Sequence, residues 1–214
     1  MQQATLSTTQ GLAAFKEWAV SCDALGQGKQ VMIFRKGGIK EKGHVFKMEH
    51  PHFFLYPTFE HQDSESIKAD YQPLLASALA AKPELGEVSI QYWAQVDEAW
   101  ALSSMEPVLA QKDNHIYSDQ SVKDRWEWAP AKPLWLLLLR VYKLERPLNL
   151  EVLEDYTGCK SWIDLASRPA EETAGASAQG FVAVPAGGLP CSPVLDDAAY
   201  AAMAAKVRAL LPQA

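Results

Sequence analysis

The chain has 214 residues, of which 48% are hydrophobic and 21% are charged, so it can bury a core without the help of a metal or a disulfide. Its net charge of −6 argues against a general nucleic-acid coat protein, and its strongly apolar run, Leu134 to Leu139, is too short to cross a membrane. Residues 1–10 show no secretory pattern and the three cysteines form no C-x-x-C pair, so we expect a cytoplasmic protein with reduced thiols.

The charge is distributed unevenly along the chain. Residues 16–47 contain seven basic and three acidic residues, a local charge of +4 within an acidic protein. A basic patch of this kind favours a specific anionic ligand over indiscriminate binding of polyanions. A solvated, charged hairpin is the alternative interpretation.

The first 60 residues predict one helix and one hairpin. Apolar residues recur at helical spacing over 11–25, and Gly26 is a suitable residue to end that helix. A strand over 30–34 is followed by extended segments around 45–48 and 53–56. We expect these to form a strand–loop–strand hairpin whose loop contains two glycines.

The middle of the chain alternates between helical and extended patterns. Residues 63–81 are helix-like, but Pro73 must bend or divide that helix. The run from Leu134 to Leu144 predicts a central strand, because a continuous apolar run buries both faces. The other predicted elements are a strand over 88–96 and helices over 105–111 and 118–126.

The chain changes character after Leu165. Residues 166–193 are rich in Ala, Gly, Pro and Ser, which is typical of a linker-like surface segment. Residues 194–214 predict an amphipathic helix that docks on the body or forms a dimer contact. The sequence therefore predicts an α+β fold: a main domain over 1–165 with a mixed or antiparallel sheet and flanking helices, then the segment and the helix.

Two segments carry most of the candidate chemistry. In the first, Arg35 and Lys36 precede Gly37 and Gly38, so backbone N–H groups could converge on an anion that the cations neutralise. The second, residues 49–62, concentrates His, Glu and Tyr. Pro51 interrupts the regular strand that a His-x-His metal site would need, and we therefore predict a polar cluster that is structural or contacts a ligand, and no metal.

Tryptophan and cysteine each admit two interpretations. Trp126, Trp128 and Trp135 flank a turn, and their spacing favours the core over exposed stacking platforms for bases or another planar ligand. Cys159 is followed by Lys160, as in some activated thiols, but with no histidine placed beside it we expect a buried, inert cysteine.

Several motifs are absent from the sequence. There is no H-E-x-x-H and no G-x-S-x-G. Gly38 and Gly43 have the spacing of a phosphate loop, but His44 follows at the position where that loop requires lysine. None of the 26 acidic residues has a lysine two positions later. The ordinary metal-dependent restriction-nuclease core needs that pair.

Seven blocks of the sequence carry a further signal, at residues 15–20, 35–39, 54–58, 61–62, 115–118, 140–144 and 158–162. Across residues 12–165 they resemble the bacterial family known as domain of unknown function 1802, which is common in cyanobacteria. No activity is established for that family. Related domains are joined to restriction endonucleases of the Mrr type, so the resemblance implies a role in restriction or DNA processing.

We therefore predict a recognition or accessory domain, without a cofactor, that binds an anionic ligand, with nucleic acid as the expected class. Arg35, Lys36 and the Gly37–Gly38 backbone would hold the anion, and the polar contacts would come from Tyr56, His61, Gln62 and Lys16. The alternative is a small-molecule enzyme with Glu60 and His61 as an acid–base pair in a closed pocket. A third possibility is an interaction protein that recruits a partner, or a second copy, through its C-terminal helix.

Overall fold

The computed structural model describes residues 4–6, 12–36, 46–165, 167–169, 182–184 and 189–212, and for 4–6, 167–169 and 182–184 it describes the backbone alone. Within these ranges the chain forms ten strands and five α-helices. The strands are β1 Ala4–Leu6, β2 Ala13–Trp18, β3 Met32–Arg35, β4 His52–Thr58, β5 Glu87–Leu102, β6 Leu134–Glu151, β7 Trp162–Asp164, β8 Ser167–Pro169, β9 Val182–Val184 and β10 Leu189–Pro193. The helices are α1 Ala19–Gly26, α2 Gln72–Ala80, α3 Met105–Ala110, α4 Asp119–Glu127 and α5 Asp197–Ala209.

Eight of these strands form one mixed sheet in the order β1-β10-β6-β5-β4-β2-β7, with β3 also paired to β6. Strands β2 and β4 run parallel, and the other pairs in this sheet are antiparallel. The remaining strands, β8 and β9, form a separate parallel pair. The chain therefore has the α+β fold that the sequence predicts, with helices packed around a mixed sheet.

The long hairpin of β5 and β6 is the centre of the sheet. These strands have 16 and 18 residues, and they pair from Glu87 with Glu151 to Leu102 with Leu134, with two register shifts. The side chains of residues 136–139 are completely buried, because layers of the protein cover both faces of β6. The predicted central strand is confirmed, although it extends to Glu151.

The helix predicted over 11–25 is partly wrong. Residues 13–18 form β2, which lies between β4 and β7, and only residues 19–26 are helical. Phe15 is completely buried within β2, and its spacing to the apolar residues of α1 imitates a helical period. Sheet pairing on both edges of β2 overrides that local pattern.

The predicted hairpin between residues 30–34 and 53–56 is also wrong. Both segments are strands, but β3 pairs with β6, whereas β4 pairs with β2 and β5. Residues 46–48 form no strand. The glycine loop itself, with Gly37 and Gly38, lies outside the described residues.

The helices predicted over 105–111 and 118–126 are confirmed, as α3 and α4, whereas the one predicted over 63–81 is too long. Helix α2 begins at Gln72 with Pro73 in its first turn, where the missing N–H of proline costs nothing, so residues 63–71 stay outside the α-helix. Helix α4 begins after Ser118, whose Oγ accepts a hydrogen bond from the Ser121 N–H at 3.1 Å.

The C-terminal region adds a strand and a docked helix. Within the predicted linker-like segment the structure forms β8, β9 and β10, and β10 pairs with β6 in the main sheet. Helix α5 packs on the core through buried Ala204 and Val207, and Gln111 Nε2 donates to the Val207 carbonyl at 2.9 Å. The apolar stripe of α5 is therefore covered by the body of the same chain. No helix in the described part of the chain is both long and apolar enough to cross a membrane.

Candidate functional site

Five cationic side chains converge on one cavity of about 470 Å³. The cavity lies where β2 and the parallel strand β4 end, and β3, α4 and the segment before β7 complete its wall. Three carboxylates also line it, so its side chains carry a net charge of +2 with histidine neutral, in a chain whose net charge is −6. We call it the basic cavity; its cations are Lys16, Arg35, Lys36, Arg125 and Lys160, and its carboxylates are Glu17, Glu60 and Asp124.

The guanidinium of Arg35 is held in place from three sides. It donates to Ser161 Oγ at 2.9 Å and lies over the ring of Phe15, 4.6 Å from the ring centre. Its Nη1 is 3.8 Å from Oε2 of Glu17, a carboxylate that is almost completely buried. Since a buried charge needs a partner, this ion pair orients the guanidinium before any ligand arrives.

The guanidinium of Arg125 is fixed in a similar way. It lies between the rings of Trp18 and Tyr117, at 4.5 and 4.4 Å from the two ring centres, and its Nη1 donates to the Phe34 carbonyl at 3.0 Å. Stacking on aromatic faces leaves the edge of a guanidinium available for planar, bidentate contacts to phosphate or carboxylate.

The lysines of the basic cavity differ in how strongly they are held. Lys36 is buried, its Nζ donates to the Trp126 carbonyl, and burial lowers the pKa of its ammonium group. Lys16 is partly exposed, and its Nζ donates to the Gly158 carbonyl at 3.0 Å. We infer that Lys36 mainly fixes the end of α4, whereas Lys16 and the partly exposed Lys160 can turn towards a ligand.

The structure brings together four of the residues predicted from the sequence. Lys16, Arg35, Lys36 and His61 all line the basic cavity. Glu60, the partner of His61 in the enzyme alternative, lines it too, and both side chains are exposed. Gly37 and Gly38 lie outside the described residues.

Two predicted residues, Tyr56 and Gln62, lie behind the cavity wall. Tyr56 is buried beside Lys16, whose Nζ is 5.6 Å from the ring centre, and burial raises the pKa of Tyr56 to about 12. Gln62 is buried, and its Oε1 accepts from the Val20 N–H at 3.2 Å. It therefore caps an N–H group in the first turn of α1 that would otherwise be unsatisfied.

The histidines at 50 and 52 pack against tryptophans. His52 stacks on Trp93 with an angle of 9° between the rings, and His50 meets the edge of Trp162 at 5.1 Å. Across the described residues, no three His, Cys, Asp or Glu side chains lie close enough together to hold a metal ion.

Sequence reasoning missed several residues of the basic cavity. Trp128 was assigned to the core, but it is 40% exposed and lines the cavity. Cys159 was expected to be buried and is exposed in the same wall, since it belongs to the loop before β7. Nothing near Arg125 in the sequence indicates that it lines the cavity, because its contact with Phe34 joins residues 91 positions apart.

Comparison with known proteins identifies the family. The family model described as "Domain of unknown function (DUF1802)" matches residues 14–183. The chain belongs to this family. The resemblance that the sequence blocks predict is thereby confirmed, and no curated protein matches this DUF1802 chain.

Solved structures similar to this DUF1802 protein include ASCH from Zymomonas mobilis. That structure is 12% identical, with a TM-score of 0.36, over 95% of this chain and 98% of that chain. One mutant protein of it is 13% identical, with a TM-score of 0.38, over 72% of this chain and 88% of its own. Another is 13% identical, with a TM-score of 0.37, over 61% of this chain and 68% of its own.

Proposed function

We propose that this protein is a recognition domain that binds an anionic ligand, of the nucleic-acid class, in the basic cavity. The observation that supports this most strongly is the gathering of five cations around one cavity of about 470 Å³ in a protein of net charge −6. Cations in a concave site with low-dielectric walls concentrate an anion more effectively than the same cations spread over a surface.

The preorganised guanidiniums support phosphate as the anion. Arg35 and Arg125 are held by contacts within the protein before a ligand binds, so little side-chain entropy is lost on binding. The partly exposed Lys16 and Lys160 would add charge from the side of the cavity formed by β2 and the loop before β7. A phosphodiester group can accept hydrogen bonds from fixed guanidinium groups and from the ammonium groups of flexible lysines.

The test is fluorescence anisotropy with a labelled oligothymidylate decamer at fixed salt. The variant Arg35→Gln/Lys16→Gln removes two charges from the cavity and keeps polar side chains there. The matched control, Lys143→Gln/Arg146→Gln, removes two charges from exposed positions on β6 outside the cavity. We expect the cavity variant to lose at least tenfold in affinity, which is about 1.4 kcal/mol, and the control to lose much less. Equal losses in both variants would contradict the proposal.

A second candidate function rests on Glu60 and His61. Both line the basic cavity, so an acid–base pair would stand beside the bound anion. The discriminating experiment incubates the oligonucleotide with wild type and with Glu60→Gln/His61→Gln and resolves the products on a denaturing gel. Cleavage by the wild type alone would favour the enzyme, whereas equal binding without cleavage would favour recognition.

We also propose a biological role and a cellular location for this binding. The family resemblance supports an accessory role in restriction or DNA processing. The three cysteines all lie in the described part of the chain and form no disulfide, which supports a cytoplasmic location.

A further inference from the structure

We infer that the ligand is a single-stranded nucleic acid and that one of its bases enters the basic cavity and stacks on Trp128. This inference rests on the proposed function and adds the form of the nucleic acid and the residue that contacts a base. It follows from the position of Trp128, from the size of the cavity and from the backbone around it.

Trp128 lines the basic cavity and presents part of its surface to solvent. It is 40% exposed, directly after α4, and its N–H donates to the Asp124 carbonyl at 2.9 Å, which fixes its backbone. The ring of Trp18, which also lines the cavity, is covered by the Arg125 guanidinium. Stacking on an aromatic ring is open to any base that is not already stacked in a duplex.

The volume of the cavity favours a single strand over a duplex as the ligand. A volume of about 470 Å³ is typical of pockets that enclose a small molecule, and a single unstacked base with its sugar is of this class. In a duplex the base faces are stacked on their neighbours, and a protein reaches only base edges in the grooves. Cations recessed beside Trp128 therefore fit a strand whose base is turned inward and whose phosphates lie against Lys16 and Lys160.

The backbone around the cavity gives independent support. Two described residues other than glycine have a positive φ, His61 at 59° and Ala129 at 55°. One lines the basic cavity and the other follows Trp128 directly. A left-handed conformation costs such a residue about 1–3 kcal/mol, and such residues cluster at ligand sites, where the strain positions a side chain.

The experiment measures affinities for three labelled decamers: single-stranded oligothymidylate, its duplex with oligoadenylate, and a strand with the same phosphates but abasic sugars. The variants are Trp128→Leu, which removes the ring but stays apolar, and Trp128→Phe, which keeps an aromatic face. We expect Trp128→Leu to bind the thymidylate strand about 5- to 150-fold more weakly and Trp128→Phe to retain most of the affinity. Wild type and Trp128→Leu should bind the abasic strand equally.

The outcomes separate this inference from the proposed function. If Trp128→Leu binds the thymidylate strand as tightly as wild type does, or if the duplex binds at least as tightly as the single strand, the stacking inference is overturned. Anion binding would still stand if Arg35→Gln/Lys16→Gln weakened binding. If no decamer binds but inorganic pyrophosphate binds in a way that requires Arg35, the ligand is a small anion and the inference also fails.

Discussion

We predict that a buried histidine behind the basic cavity makes the stability of this protein depend on pH. His115 is 3% exposed, and its ring lies 5.4 Å from the ring centres of both Phe34 and Tyr117. Burial, followed by the charges of Lys68 and Arg125, lowers the pKa of His115 from 6.5 to about 3. The folded protein therefore keeps this imidazole neutral at a pH where the unfolded chain protonates it.

The magnitude follows from the two pKa values. Well above pH 6.5 the imidazole is neutral in both states and contributes nothing to the pH dependence. As the pH falls below 6.5, the unfolded state gains a proton that the folded state does not, so the free energy of unfolding decreases. The difference of about 3.5 between the two pKa values corresponds to about 5 kcal/mol in full, of which about 3 kcal/mol is lost between pH 7.5 and 4.5.

The assay is urea unfolding, followed by circular dichroism, of wild type and His115→Gln at pH 7.5 and 4.5. Since the acidic residues titrate alike in both proteins, the difference between the two free energies of unfolding isolates His115. We expect this difference to move in favour of the variant by about 3 kcal/mol on going from pH 7.5 to 4.5. A difference that stays within about 0.5 kcal/mol would refute the reasoning. The control for removing a histidine is His61→Gln, at an exposed position.

Three further predictions concern stability and are measured by urea or thermal unfolding. Gly26→Ala should destabilise the protein by roughly 1–3 kcal/mol or more, because its new Cβ would overlap the ring of buried Tyr92; a neutral effect would mean that the ring can move. Val207→Ala should lower the free energy of unfolding by roughly 2 kcal/mol, because apolar burial holds α5 in place. Arg208→Ala should lower it by about 1 kcal/mol or less, because its partners Asp97 and Glu98 are exposed to solvent. A larger effect of Arg208→Ala than of Val207→Ala would contradict this. Ala129→Gly should stabilise the protein by about 0.5–1 kcal/mol through relief of the left-handed backbone, and a loss of stability would show that Ala129 is not strained.

The sequence predicts a helix or strand correctly where neighbouring residues along the chain determine it. Helix α4 begins where Ser118 caps it, and β6 covers the apolar run of residues 134–139. The sequence was misleading where pairing between distant segments decides the structure. Residues 13–18 have a helical period but form β2 between β4 and β7, and residues 189–193 look like a linker but pair with β6.

The candidate site divides in the same way. The sequence predicted that Arg35 and His61 would share a surface, and both line the basic cavity, although β3 and β4 form no hairpin. Trp128 and Lys160 come from segments about 90 and 125 positions after Arg35, and only the packing of α4 and the loop before β7 brings them there. Such long-range proximity leaves no trace in the spacing of residues in one sequence.

The salt dependence of binding tests most directly whether phosphates occupy the basic cavity. The affinity for the oligothymidylate decamer is measured over a series of salt concentrations for wild type and Arg35→Gln. We predict that the slope of log affinity against log salt concentration is shallower for the variant by about 0.7, the loss of one phosphate contact on a single strand. If the lines for wild type and Arg35→Gln coincide, Arg35 contacts no phosphate and the anion binds elsewhere.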